Sequence, residues 1–151
     1  KYSTKLSDAL HILAFLSMGA GQRITSAKIA ESVKTNPAYI RQLMAKLKSA
    51  GMITSSQGQA NAELTRRPDE ITVLDVYRAI EGNKPLLHWD IDTNPECGVG
   101  IYVQLSIADF YQEIQKAAEQ KMQTITLQDI IDRYGKKLDE LEQKAERDFT
   151  P

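Results

Sequence analysis

Residues 25–50 read TSAKIAESVKTNPAYIRQLMAKLKSA, and this stretch decides the fold. Thr25 is a good N-cap for a helix whose apolar positions are Ala27, Ile29, Ala30 and Val33. Asn36 offers a second cap, and Pro37 suits a first helical position, where no amide donor is needed. Ile40, Leu43, Met44 and Leu47 recur at helical steps and predict a helix from Pro37 to Ala50, with Gly51 as its C′ residue. Two helices joined by a short polar turn form a helix-turn-helix pattern. The second helix turns Ala38, Tyr39, Arg41, Gln42, Lys46 and Lys48 outward. In a recognition helix the N-terminal residues meet base edges in the major groove. Arg41 and Gln42 can each make bidentate base contacts, to guanine and adenine respectively. Ser26, Lys28 and Asn36, near the starts of the two helices, complete this candidate DNA-facing set.

Two flanking segments extend the pattern. Upstream, residues 5–18 predict a buried helix, with Leu6, Leu10, Leu13 and Ala14 on one face and Ile12, Phe15 and Leu16 widening it. His11 is expected to sit in the core there. Downstream, residues 52–55 and 62–65 predict two short strands around a polar loop, a β-hairpin. A hairpin directly after a helix-turn-helix makes a winged helix. Its loop residues Gln57, Gly58, Gln59 and Asn61 are candidate DNA contacts, and Arg66 and Arg67 can reach phosphates. Thr72 and Asp75 then resemble a capping box for a helix that Gly82 closes.

The remainder of the chain, from residue 83 onward, reads differently. Residues 83–98 are irregular and hold His88, Trp89 and Cys97, a candidate effector or oxidant sensor. Residues 99–122 predict the longest helix, where Val103, Ile107, Phe110, Ile114, Ala117 and Lys121 keep a 4-3-4-3-4 spacing. That seam is coiled-coil-like and is the candidate homodimer interface. Thr126 caps a short helix expected to stop at Gly135, and residues 136–151 are expected to be a charged, fraying tail. The expected organisation is a mainly α chain: a winged helix-turn-helix over 1–82, a connecting loop over 83–98, dimerisation and packing helices over 99–135, and a tail over 136–151.

Composition narrows the function. The net charge of −1 divides into +7 over residues 1–67 and −8 over residues 68–151. A basic half joined to an acidic one is a footprint of nucleic-acid binding. The longest uncharged apolar stretch, Ala9 to Gly21, is too short to span a bilayer, and no signal peptide is seen, so a cytoplasmic protein is expected. One cysteine excludes an internal disulfide and any all-cysteine metal site. No Ser/His/Asp set and no phosphate-cradling glycine loop is evident, and nothing orients Cys97 with His88, so no enzyme is expected.

The run Pro37–Leu47, its continuation Lys48–Ile53, and above all Arg67–Gly82 resemble the Rrf2 family of bacterial winged-helix transcription regulators. The resemblance extends from about Leu6 to Ile131. Residues 94–100, NPECGVG, are similar to an Asn-Pro-x-Cys-Pro-Val-Gly segment in the branch without a cluster motif. The resemblance implies a dimer paired through the long helix, presenting two recognition helices to half-sites of a near-palindromic double-stranded operator. Three departures stand out. Iron–sulfur members carry three cysteines before the dimer helix; this chain has Cys97 alone, with Asp8 near the position of an acidic ligand, so no cluster is expected. Gln57 replaces the wing's minor-groove arginine. Arg41 replaces a glutamate common in the recognition helix, which implies a different operator. The expected function is a homodimeric DNA-binding repressor. The alternatives are a winged-helix dimer acting through protein contacts, and a regulator sensing oxidants at Cys97.

Overall fold

The computed structural model describes residues 3–55 and 62–150. Six helices and two strands follow in order: α1 (Lys5–Met18), α2 (Ser26–Val33), α3 (Pro37–Ser49), β1 (Ile53–Ser55), β2 (Ala62–Leu64), α4 (Val73–Glu81), α5 (Gly98–Gln123) and α6 (Leu127–Phe149). The expected mainly α winged-helix class is the one observed.

The caps set the helix starts. Thr25 Oγ1 accepts from the Lys28 amide at 3.2 Å, and Asn36 Oδ1 from the Tyr39 amide at 2.8 Å. The turn between α2 and α3 is tight because Lys34 adopts a left-handed backbone, φ 62°. Gly51 ends α3 with φ 76°, a conformation open to glycine at no steric cost. The wing strands pair antiparallel, with Ile53 opposite Leu64 and Ser55 opposite Ala62.

Packing gathers α1, α2, α3, α4 and the hairpin around one core. Ile12, Leu13, Ile29, Ile40, Leu47, Ile71 and Val76 are its largest fully buried residues, joined by Leu127 from α6. Burying such a side chain stabilises the fold by about 1.5–3 kcal/mol. Leu127 arrives there because the chain returns after α5. The Val73 amide donates to the Ile125 carbonyl and the Leu127 amide to the Ile71 carbonyl, both at 2.8 Å. Capping boxes at Thr72/Asp75 and Thr126/Asp129 start the two helices on either side of this bridge.

Two expectations change. His11 is exposed, with Nε2 2.9 Å from Ser32 Oγ. The buried arc of α1 is Ala9, Ile12, Leu13, Ala14 and Leu16, and residue 11 points away from it. The last helix does not stop at Gly135. It continues to Phe149, because Gly135 keeps a helical backbone and the apolar positions Ile131, Tyr134, Leu138 and Leu141 continue across it. No helix among the described residues is long and apolar enough to cross a membrane.

Candidate nucleic-acid interface

α3 buries Ile40, Leu43 and Leu47 and leaves Ala38, Arg41, Gln42 and Ala45 exposed. These four lie at i, i+3, i+4 and i+7, one continuous stripe on the side away from the core. Small residues on either side of an arginine and a glutamine let the helix approach a groove closely while the two long polar side chains reach out. Ala45 was absent from the residues picked from sequence. Its signal was there, as the next turn of the stripe that begins at Ala38.

Tyr39 is not on that stripe. Its side chain packs against the core, and its hydroxyl donates to Asp8 Oδ2 at 2.9 Å. Burial raises the pKa of the phenol, and the hydrogen bond and charge of Asp8 raise it further. Tyr39 is therefore a protonated donor fixed to α1 and not a base reader. Asn36 is committed to its cap, so a phosphate contact through its side chain would compete with the Tyr39 amide.

The basic residues take separate positions around α3. Lys46 leans to one side, Nζ donating to the Ile80 carbonyl at 3.2 Å. It lines a groove between α3 and α4 with Lys5 and Lys84, two lysines absent from the sequence set. Lys28 and Lys48 are exposed, and Ser26 is half-buried at the start of α2. Arg66 Nη1 lies 3.8 Å from Asp75 Oδ2, and Arg67 pairs with Asp69. Such exposed pairs are weak, so both arginines can exchange their carboxylates for phosphates at small cost. Gln57, Gly58, Gln59 and Asn61 lie outside the described residues.

The sensor candidates are not brought together. Cys97 is exposed at the start of α5, its amide donating to the Asn94 carbonyl at 3.1 Å. His88 and Trp89 are also exposed. His88 lines a groove beside Asp8 and Tyr39, whereas Trp89 and Cys97 do not.

α5 offers a different kind of surface. Val103, Phe110 and Ile114 are exposed, as are Ala117 and Lys121, and Ile107 is half-buried. Val99 and Tyr102, 74% and 71% exposed, extend the face toward the helix start. Together with Val103, Ile107 and Phe110 they line a shallow apolar trough. The strict 4-3 spacing begins at Val103 and so leaves out Val99; Tyr102, at helical spacing with Phe110, reads from sequence as a core or interface residue.

Residues 2–133 match the Rrf2 family, described as an iron-dependent transcriptional regulator. An iron–sulfur cluster is held by four protein ligands, cysteine thiolates as a rule. This chain has one cysteine, and among the described residues no three His, Cys, Asp or Glu side chains gather to hold a metal ion. The donors of this chain do not fit a cluster. YwnA of Bacillus subtilis (strain 168), a candidate HTH-type transcriptional regulator, is 33% identical over 129 residues, covering 85% of this chain and 96% of YwnA. The HTH-type transcriptional regulator CymR of the same organism is 36% identical over 84 residues, 54% of this chain and 61% of CymR. A solved structure of a candidate DNA-binding protein superposes with a TM-score of 0.69 at 33% identity, covering 84% of this chain and 98% of that one. These relatives are named as regulators or DNA-binding proteins, not enzymes. The match runs through the whole winged helix and all of α5, and the chain belongs to the Rrf2 family of transcriptional regulators.

Proposed function

We propose that this chain is a homodimeric, sequence-specific repressor that places α3 in the major groove of a near-palindromic operator. The observation that carries this reading is the exposed stripe Ala38, Arg41, Gln42 and Ala45, backed by a fully buried face on the same helix. Arg41 and Gln42 read bases, Lys28, Lys46, Lys48, Arg66 and Arg67 contact phosphates, and the apolar face of α5 pairs two copies. Winged-helix dimers of this kind read two half-sites one helical turn apart or a multiple of it.

Genomic selection of bound fragments, followed by fluorescence anisotropy, tests the proposal. The expected result is an enriched near-palindromic site whose affinity falls steeply with salt. The double variant Arg41→Ala/Gln42→Ala should bind that site about tenfold or more weakly, since a bidentate base contact is worth about 1–3 kcal/mol. Equal affinity of both proteins would refute recognition by α3. The exposed thiol of Cys97 favours a second, narrower reading, in which oxidation releases the operator. Peroxide treatment that abolishes binding in the native protein but not in Cys97→Ser would establish it.

A further inference from the structure

A groove of about 1310 Å³ opens where the start of α1, the α2–α3 turn, the end of α4 and the following loop meet. It is roomy enough for a small ligand, whose sites usually span roughly 300–1,000 Å³. Two carboxylates in its lining, Asp8 and Glu81, are half-buried, while three lysines, Lys5, Lys34 and Lys84, are exposed. Among the described residues none of these five joins an ion pair. Asp8 Oδ2 accepts from Thr4 Oγ1 at 3.1 Å and Tyr39 Oη at 2.9 Å, which leaves its other oxygen without a donor among the described residues. Among the described residues Glu81 Oε1 accepts only from Ser3 Oγ, at 3.3 Å, and neither carboxylate has a counter-cation of its own. The floor of the groove is therefore negative and its rim positive.

We propose that this groove binds a small zwitterion of the amino-acid class, its ammonium at Asp8 and Glu81 and its carboxylate toward the rim lysines. A polyamine would satisfy the floor and be repelled by the rim; a dicarboxylate would do the reverse. The ammonium draws on the carboxylate that anchors Tyr39, so occupancy alters the hold of α1 on the first turn of α3. That second step rests on the operator-binding reading above, whereas binding itself does not.

Isothermal titration of the full chain with each protein amino acid, with putrescine and with succinate, needs no DNA. Binding is expected for one amino acid or a related set, and not for putrescine or succinate. Asp8→Asn and Glu81→Gln should each weaken it about tenfold, the scale of one charge-assisted hydrogen bond. Asn retains an oxygen for Tyr39, and Glu81→Gln lies on a different helix, so the two variants are independent if one fails to fold. Absence of binding by every amino acid, or equal binding of putrescine, overturns the zwitterion. Binding unaffected by either variant overturns the location. Anisotropy on the operator then reads the coupling: the bound amino acid should shift the affinity of the native protein and not of Tyr39→Phe. A native protein that binds no DNA refutes the repressor reading and leaves the titration standing.

Discussion

Tyr39 joins α3 to α1 through one hydroxyl. Its pKa is raised above the ordinary 10.0, first by burial and then by Asp8. The folded protein thus favours the protonated phenol, and this contribution is fully present below pH 10.0 and lost as pH rises through the raised value. Tyr39→Phe should lose about 1 kcal/mol at neutral pH, the worth of one hydrogen bond. Urea unfolding over an alkaline pH series should show that gap closing, because only the native protein loses stability there. A gap constant with pH would exclude Tyr39 as the titrating group. At this scale the sequence showed the caps plainly: Thr25, Asn36, Thr72 and Thr126 act on amides three residues away. It did not show which way Tyr39 points, because its partner Asp8 lies 31 residues earlier and the hydroxyl's choice between DNA and protein is made by packing. His11 failed for a related reason. A helix apolar on most sides gives no periodicity sharp enough to say which narrow arc stays wet.

α6 presents the clearest case of an element whose length was misread. A glycine ends a helix when the backbone turns left-handed there, as at Gly51 and Gly82, and Gly135 does not turn. A Cβ added at Gly135 meets nothing within 4 Å. Gly135→Ala should therefore raise stability by about 0.5–1 kcal/mol, seen as a higher denaturant midpoint with an unchanged slope. A loss of stability would mean that the helix breaks at that residue. The other elements were legible because each is bounded by a residue whose chemistry stops or starts it. Pro37 cannot donate, Gly51 alone adopts its φ cheaply, and the polar stretch between the strands separates two apolar ones. Between Gly135 and Phe149 no such residue exists, and the charge of that segment hid the apolar positions running through it.

For the whole molecule, the winged helix and α5 differ in how much apolar surface they leave uncovered. Among the described residues the winged helix exposes one large apolar residue, Met18, while α5 exposes Val99, Tyr102, Val103 and Phe110 along one side. An exposed apolar patch of this kind marks an interaction site. Val103→Glu/Phe110→Glu should convert a dimer to a monomer in sedimentation while the near-native helical content is kept, because neither residue lies in the winged-helix core. The same variant should lose far more operator affinity than one half-site can restore, since two linked heads bind as one unit. An unchanged sedimentation coefficient would place the interface elsewhere. The architecture was readable at this scale, but the role of Leu127 was not, because nothing local says that a residue beyond the long helix returns to complete the first domain. That return has a mechanical consequence. The backbone leaves the winged helix after α4 and returns at Ile125 beside the start of that helix, where the Val73 amide donates to the Ile125 carbonyl. The loop over 83–97 and α5 thus form a clamped excursion with both feet on α4 and its base. In the proposed dimer, a tilt of α5 imposed by the second copy should be felt as leverage at the foot of α4, and a protease that nicks the exposed 83–97 loop should sever the chain without setting either piece adrift.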